Sequence, residues 1–238
     1  MPLEPVSVLL LPGLTCDAEL FEHQAVTLGA LARLHVSDAQ ARCATLAEAA
    51  AALLAEHPGR HVLVGASMGG MLALEMHHQA PQRVRGLALL GTTARPDTPE
   101  LIALRSQACE LFAAGRMDEV LRANVLFAFH PQGARRTGLV ERYLLMLARA
   151  GPRQLIRQNH ALMARVDSRP HLTSITCPVL VACGEGDLLT TPEHAREMAA
   201  LMPHAQLEMV SGAGHMLTME QPERVSALLV DFVRRLHA

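Results

Sequence analysis

The sequence predicts an α/β protein: a mainly parallel sheet of about six strands with helices on both faces and one helical insertion. Three observations predict it. Short apolar runs alternate with helix-forming stretches from end to end, the pattern of parallel strands joined by crossover helices. Half of the 238 residues are hydrophobic, enough for a substantial core. One long stretch, residues 96–170, contains no strand-like run at all.

Strands are expected at Val6–Leu11, Leu34–Val36, His61–Val64, Val84–Leu90, Val179–Cys183 and Gln206–Val210, each a short, mostly apolar run. Helices are expected near Leu20–Gly29, Leu46–His57, Gly69–Gln79, Glu193–Leu201 and Pro222–Leu236. Pro81, Pro178, Pro192 and Pro203 fall at the edges of these elements, where a missing N–H is tolerated. Residues 1–95 and 171–238 therefore form the expected core. Residues 96–170, with helices at Glu100–Ala113, Asp118–Phe127 and Leu139–Ala150, form an expected cap over the carboxyl end of the sheet, where open α/β folds bind ligands.

Composition narrows the chemistry. All 21 basic residues are arginine, so Schiff-base, P-loop and pyridoxal-phosphate chemistry lose the lysine they need. A formal charge of -2 gives no basic field for nucleic acid or an anionic membrane, and small-molecule partners are expected. The charge is uneven: residues 100–170 hold 11 arginines and 6 acidic residues, against 10 arginines and 17 acidic residues elsewhere. Five cysteines at irregular spacings, with no Cys-x-x-Cys pair, read as reduced and mostly buried thiols, and no metal site is expected. Met1–Pro5 carries no basic segment and no run reaches the roughly 18 apolar residues of a spanning helix, so a cytoplasmic protein without membrane contact is expected.

The chemistry is concentrated in three loops. Gly65-Ala66-Ser67-Met68-Gly69 places a G-x-S-x-G motif between a strand-like and a helical segment, the context of a nucleophile elbow, in which the flanking glycines let strand and helix approach. A neutral serine needs a histidine to accept its proton and an acid to fix that histidine's tautomer. His215 follows the last expected strand on the Gly-rich loop Ser211–Met216, and Asp187 follows the preceding strand in Gly184-Glu185-Gly186-Asp187. Glu185 is the rival acid, disfavoured because it lies closer to the strand end.

On Leu11-Pro12-Gly13, Gly65–Gly70, Gly184–Asp187 and Gly214-His215, the chain resembles α/β-hydrolases of the small bacterial esterase and lactonase type over nearly its whole length. The resemblance implies a helical cap, no cofactor, and a Ser67, Asp187, His215 triad. It also implies an oxyanion hole of the Met68 and Leu14 backbone N–H groups, although many relatives have His-Gly where this chain has Pro12-Gly13. The expected reaction is cleavage of a carboxylic ester or lactone through an acyl-enzyme. Thioesterase, amidase and carbon–carbon bond hydrolase chemistry use the same triad, and a non-catalytic small-ligand receptor is the alternative of another class. Met68, Met71, Met163, Met216 and Met219 are candidates for a deformable acyl pocket, Cys16 is a candidate neighbour of the oxyanion loop, and Arg153, Arg157, Gln158 and His160 are the polar cap candidates to face Ser67.

Overall fold

In the computed structural model, which describes residues 6–236, the chain begins with β1 (Val6–Leu11), a single 3-10 turn at Ala18–Phe21 and α1 (Glu22–Leu28). It continues through β2 (Ala32–Val36), α2 (Ala39–Arg42), α3 (Leu46–Glu56), β3 (His61–Ala66), α4 (Met68–Gln79) and β4 (Val84–Leu90). Five helices follow: α5 (Pro99–Ala113), α6 (Met117–Ala128), α7 (Pro131–Ala134), α8 (Leu139–Met163) and α9 (Arg169–Leu172). The chain then returns to the sheet with β5 (Val179–Gly184), α10 (Pro192–Leu201), β6 (Ala205–Val210), α11 (Leu217–Glu220) and α12 (Pro222–Arg235). Met1–Pro5, where no basic segment was expected, lies outside the described residues.

The six strands form one sheet in the order β2-β1-β3-β4-β5-β6, every pairing parallel. All six expected strands are present, and the sheet is wholly rather than mainly parallel. Parallel strands are covered on both faces, which is why β3 and β5 are buried at every position and read as continuous apolar runs. The edge strands differ: β2 is buried only at Ala32 and then alternates exposed with half-buried positions, and β6 is half-buried over five of its six. Period-two alternation divides the core into two layers. Val6, Val8 and Leu10 of β1 pack in one layer with Val225 and Leu229 of α12, while Leu9 and Leu11 pack in the other with Leu72 and Met76 of α4. The order of connections reverses after β2, so β3 leaves β1 on its other side. Ligand crevices of open α/β sheets lie at such a reversal, beyond the carboxyl ends of the strands, and β3 runs there into Ser67.

Local sequence explains several helix starts. Thr98 caps α5 by accepting from the Leu101 N–H, and Pro99 occupies the first turn; Thr45 caps α3 through the Glu48 N–H. Pro192 and Pro222 open α10 and α12 in the same way. The helix expected to stop at Ala150 does break there. Gly151 takes φ 75°, ψ 171° and Pro152 follows, so α8 is two helices meeting at a kink. Its second half, residues 152–163, was not anticipated, because Gly-Pro reads as an end and not as a joint.

Candidate active site

The Ser67 backbone is in the left-handed region, at φ 53° and ψ -117°, at the joint between β3 and α4. Only close packing holds a non-glycine residue there. A Cβ on Gly69 would overlap the Leu11 carbonyl, and a Cβ on Gly65 would overlap the Gly69 carbonyl, so both positions require glycine. The Ser67 N–H donates to the Leu90 carbonyl at 2.9 Å, and the Thr92 hydroxyl donates to the Ser67 carbonyl at 2.7 Å. These bonds from the β4 end fix the turn and leave the hydroxyl as the free part of the residue.

The Ser67 hydroxyl lies 2.9 Å from Nε2 of His215, and Nδ1 of the same ring lies 2.9 Å from Oδ2 of Asp187. The carboxylate accepts from Nδ1–H, which leaves Nε2 to accept the serine proton. Asp187 is 1 % exposed and well supplied with donors: the Leu189 and Thr190 amides reach Oδ1, each at 2.9 Å, and the Thr190 hydroxyl reaches Oδ2 at 2.9 Å. Burial works to raise this carboxyl, but the His215 charge, its hydrogen bond and the two amides outweigh it and hold Asp187 below the ordinary carboxylate range. Glu185, the rival acid, is exposed to solvent. Sequence reasoning missed Thr190, whose hydroxyl also lies 3.2 Å from Nδ1; a threonine three residues past an aspartate carries no motif.

Leu14 and Met68 flank Ser67 from the β1 and β3 ends. Neither backbone N–H has an acceptor among the described residues. The loop holding Leu14 is a tight turn closed by the Cys16 N–H on the Gly13 carbonyl at 3.1 Å, with Thr15 at φ 53°. Gln158 of α8 clamps that turn: its Oε1 accepts from the Thr15 N–H at 2.7 Å and its Nε2 donates to the Gln40 carbonyl at 3.0 Å. Cys16 lies on the cavity wall and is buried. Burial, reinforced by the Asp17 charge, pushes its thiol up to about 12, so it remains protonated at neutral pH and is no rival nucleophile.

Ser67 and His215 open into a cavity of about 550 Å³. Helix α5 lines it with Leu101, Leu104, Arg105, Ala108 and Phe112, the i, i+3, i+4, i+7 stripe of one helical face. Leu155, Asn159 and Leu162 of α8 form a second such stripe. Of the expected polar contributors, none lines the cavity: Arg153, Arg157 and His160 lie on the opposite face of α8, and the buried Gln158 side chain is spent on the Thr15 N–H and the Gln40 carbonyl, so Arg105 and Asn159 take that position. Of the methionines, Met71 and Met216 line the wall, whereas Met68, Met163 and Met219 do not. The five cysteines are free thiols. Among the described residues, no three His, Cys, Asp or Glu side chains converge as a metal site requires, and no helix is long and apolar enough to cross a membrane.

Beneath the His215 loop sits a second carboxyl that the sequence did not reveal. Glu220 is buried, and its two oxygens accept from the Gly214 N–H at 2.7 Å and the His130 N–H at 2.8 Å. Burial outweighs these two donors and pushes it up to about 7.

Residues 36–222 match the sequence model of the family described as alpha/beta hydrolase fold, a span that contains Ser67, Asp187 and His215. The chain belongs to the alpha/beta hydrolase family. Among similar proteins, a pimeloyl-[acyl-carrier protein] methyl ester esterase of Xanthomonas oryzae pv. oryzae is 31 % identical over 187 residues, 72 % of this chain and 70 % of that protein. The biotin biosynthesis bifunctional protein BioHC of Cellvibrio japonicus is 30 % identical over 202 residues, which are 78 % of this chain and only 38 % of that longer protein. Among solved structures, a thermophilic esterase from Thermogutta terrifontis superposes with a TM-score of 0.90 at 27 % identity, covering 98 % of this chain and 91 % of that one. The enol-lactonase of Burkholderia xenovorans LB400 shares the fold with a TM-score of 0.88 at 21 % identity, covering 97 % of this chain and 92 % of that one.

Proposed function

We propose that this alpha/beta hydrolase cleaves a carboxylic ester or lactone through an acyl-enzyme. The observation that carries the reading is the unbroken hydrogen-bonded chain from Ser67 Oγ through His215 to Asp187, with both links at 2.9 Å. Ser67 Oγ attacks the carbonyl carbon as its proton passes to Nε2 of His215. The carbonyl π electrons move onto oxygen, which the Leu14 and Met68 amides receive; one such donor is worth several kcal/mol in the barrier. Collapse of the adduct breaks the bond to the alkoxy oxygen, which takes the proton from Nε2. Water then attacks the acyl-enzyme, gives its proton to His215, and releases the acid while Oγ is reprotonated. Asp187 stays ionised throughout and stabilises the imidazolium.

Residues 96–170 serve as the cap of this site. Supporting that role, α5, α6 and α8 contribute much of the wall of the cavity that opens onto Ser67. The esterase names of similar proteins agree with an ester substrate, and the small cavity agrees with a small-molecule one.

The test is a panel of 4-nitrophenyl esters of graded acyl length with Ser67→Ala as control. Turnover by the parent chain and a loss on the order of 10⁶-fold in the variant are expected. Labelling of Ser67 by a fluorophosphonate, read by mass spectrometry, reports the nucleophile independently. Equal turnover by both proteins rules out Ser67 as the nucleophile, and a folded chain that neither labels nor turns over any ester is a receptor instead.

A further inference from the structure

The cavity wall is almost wholly uncharged. Of the side chains that line it, Arg105 alone carries a permanent charge, and no aspartate or glutamate faces it. An unmatched guanidinium in an apolar enclosure is costly, so its counter-charge must be sought behind the wall.

That counter-charge is Asp97, whose side chain is fully buried; Arg105 Nε donates to its Oδ2 at 2.7 Å. Asp97 is shared. Arg165, 8 % exposed in its side chain, places Nη1 2.7 Å from Oδ1, while its N–H groups are aimed at the Leu162 and Arg95 carbonyls. One carboxylate therefore answers two guanidiniums, and the cluster keeps one net positive charge. Arg165 shows the strain of that crowding: burial, with the Arg105 charge beside it, pulls it below the ordinary arginine value despite Asp97. Arg105 Nη1 donates to Asn159 Oδ1 at 2.9 Å, and Asn159 spends its own amide on the Leu155 carbonyl. Nη2 of Arg105 has no partner among the described residues.

The cluster holds two guanidiniums against one carboxylate. Asp97 would be neutralised by Arg165 alone, which is the more buried of the two partners, whereas Arg105 stands on the cavity-facing stripe of α5 with a side chain 19 % exposed. Asp97 and Asn159 hold the guanidinium in a fixed orientation and leave its last edge open. A pre-oriented arginine fork in a poorly hydrated pocket favours a planar carboxylate over any neutral group of the same shape.

We propose that Arg105 is an anion subsite, holding a substrate carboxylate distinct from the ester bond that Ser67 cleaves. The preferred substrates are thus half-esters of dicarboxylic acids, or esters whose alcohol part bears a carboxylate. The remaining wall, apolar apart from a few neutral polar groups, holds the chain between the two groups. This deepens the hydrolytic reading of the same site and rests on it.

The experiment compares two isosteric pairs at constant ionic strength: 4-nitrophenyl hydrogen adipate against 4-nitrophenyl adipamate, and 4-carboxyphenyl butyrate against 4-carbamoylphenyl butyrate. Within at least one pair, the parent chain should favour the anion by about tenfold to a hundredfold in kcat/KM, carried by KM, as a charge-assisted bond to one guanidinium would give. In Arg105→Met that ratio should fall to near one, and in Arg105→Lys, which keeps charge without the fork, it should be intermediate. Thermal melts of each variant establish folding, which Arg165 supports by keeping Asp97 paired. A ratio unchanged in Arg105→Met for both pairs, or no preference in the parent chain, overturns the subsite. Calorimetric binding of free adipate needs no turnover and separates the two readings. Adipate binding weakened by Arg105→Met in a chain that hydrolyses no ester upholds the subsite and overturns only the hydrolytic function; ester turnover with adipate binding equal in both proteins does the reverse.

Discussion

Ser67, His215 and Asp187 each solve a different physical problem. Ser67 needs exposure at a fixed point, and the strained elbow supplies it at the cost of a left-handed backbone. His215 needs one tautomer, which a buried carboxylate with four donors around it enforces. Replacing Asp187 by Asn removes the acceptor that holds the proton on Nδ1, so kcat is expected to fall by roughly 10⁴-fold with little change in substrate affinity; steady-state kinetics on a neutral ester check it. The motifs made these three residues legible, because the turn that exposes a nucleophile demands glycines at fixed offsets. Thr190 and Glu220 were illegible, since a hydrogen bond from a neighbouring loop imposes no spacing on the sequence.

At the scale of elements, the joint in α8 and the clamp it delivers belong together. Gly151 sits at a φ and ψ that only glycine adopts without strain, and a Cβ there would touch nothing within 4 Å, so any cost of Gly151→Ala is in the backbone itself. A loss of about 1–3 kcal/mol in unfolding free energy is expected, read from the denaturant midpoint at unchanged slope. Beyond that joint, Gln158 holds the turn that presents the Leu14 amide. Gln158→Leu leaves the Thr15 N–H buried and unpaired, at about 1–3 kcal/mol. If that turn forms half of the oxyanion hole, kcat should drop about tenfold or more while KM stays near its parent value; a pure stability loss would leave kcat per folded molecule unchanged. Helix-forming sequence without any strand-like run announced α5, α6 and the first half of α8. Which face of each helix meets the cavity was not announced, because these faces mix apolar and polar residues and the partner surface decides between them. Hence Arg153, Arg157, Gln158 and His160 were misplaced and Arg105 was passed over.

Across the whole molecule, Glu220 ties the helical segment to the sheet: it accepts from His130, just after α6, and from Gly214, beside His215. Its folded pKa, about 7, lies above the unfolded value near 4.5, so the folded chain holds a proton that the unfolded chain has released between these limits. Stability from this group is fully present below about pH 4.5 and is lost as pH rises through about 7, with a slope of about 1 kcal/mol per pH unit at its steepest. Glu220→Gln, which cannot ionise, should flatten that decline in urea unfolding measured from pH 5 to 8. Asp187 acts in the opposite sense and in a lower window: its depressed pKa contributes stability above the ordinary carboxylate range, lost as pH falls through the folded value.

The sequence by itself determined the places of the six strands, a mainly parallel sheet, the long helical stretch between β4 and β5, and which serine, acid and histidine would meet. It did so because strand periodicity, crossover connections and turn glycines are local constraints that leave local marks. Only the tertiary structure decided that Asp97 serves two arginines, that Glu220 is buried between two amides, and that the one permanent charge on the cavity wall is Arg105. These depend on which distant segments share a volume, and burial sets the strength of a charge only after that volume is closed.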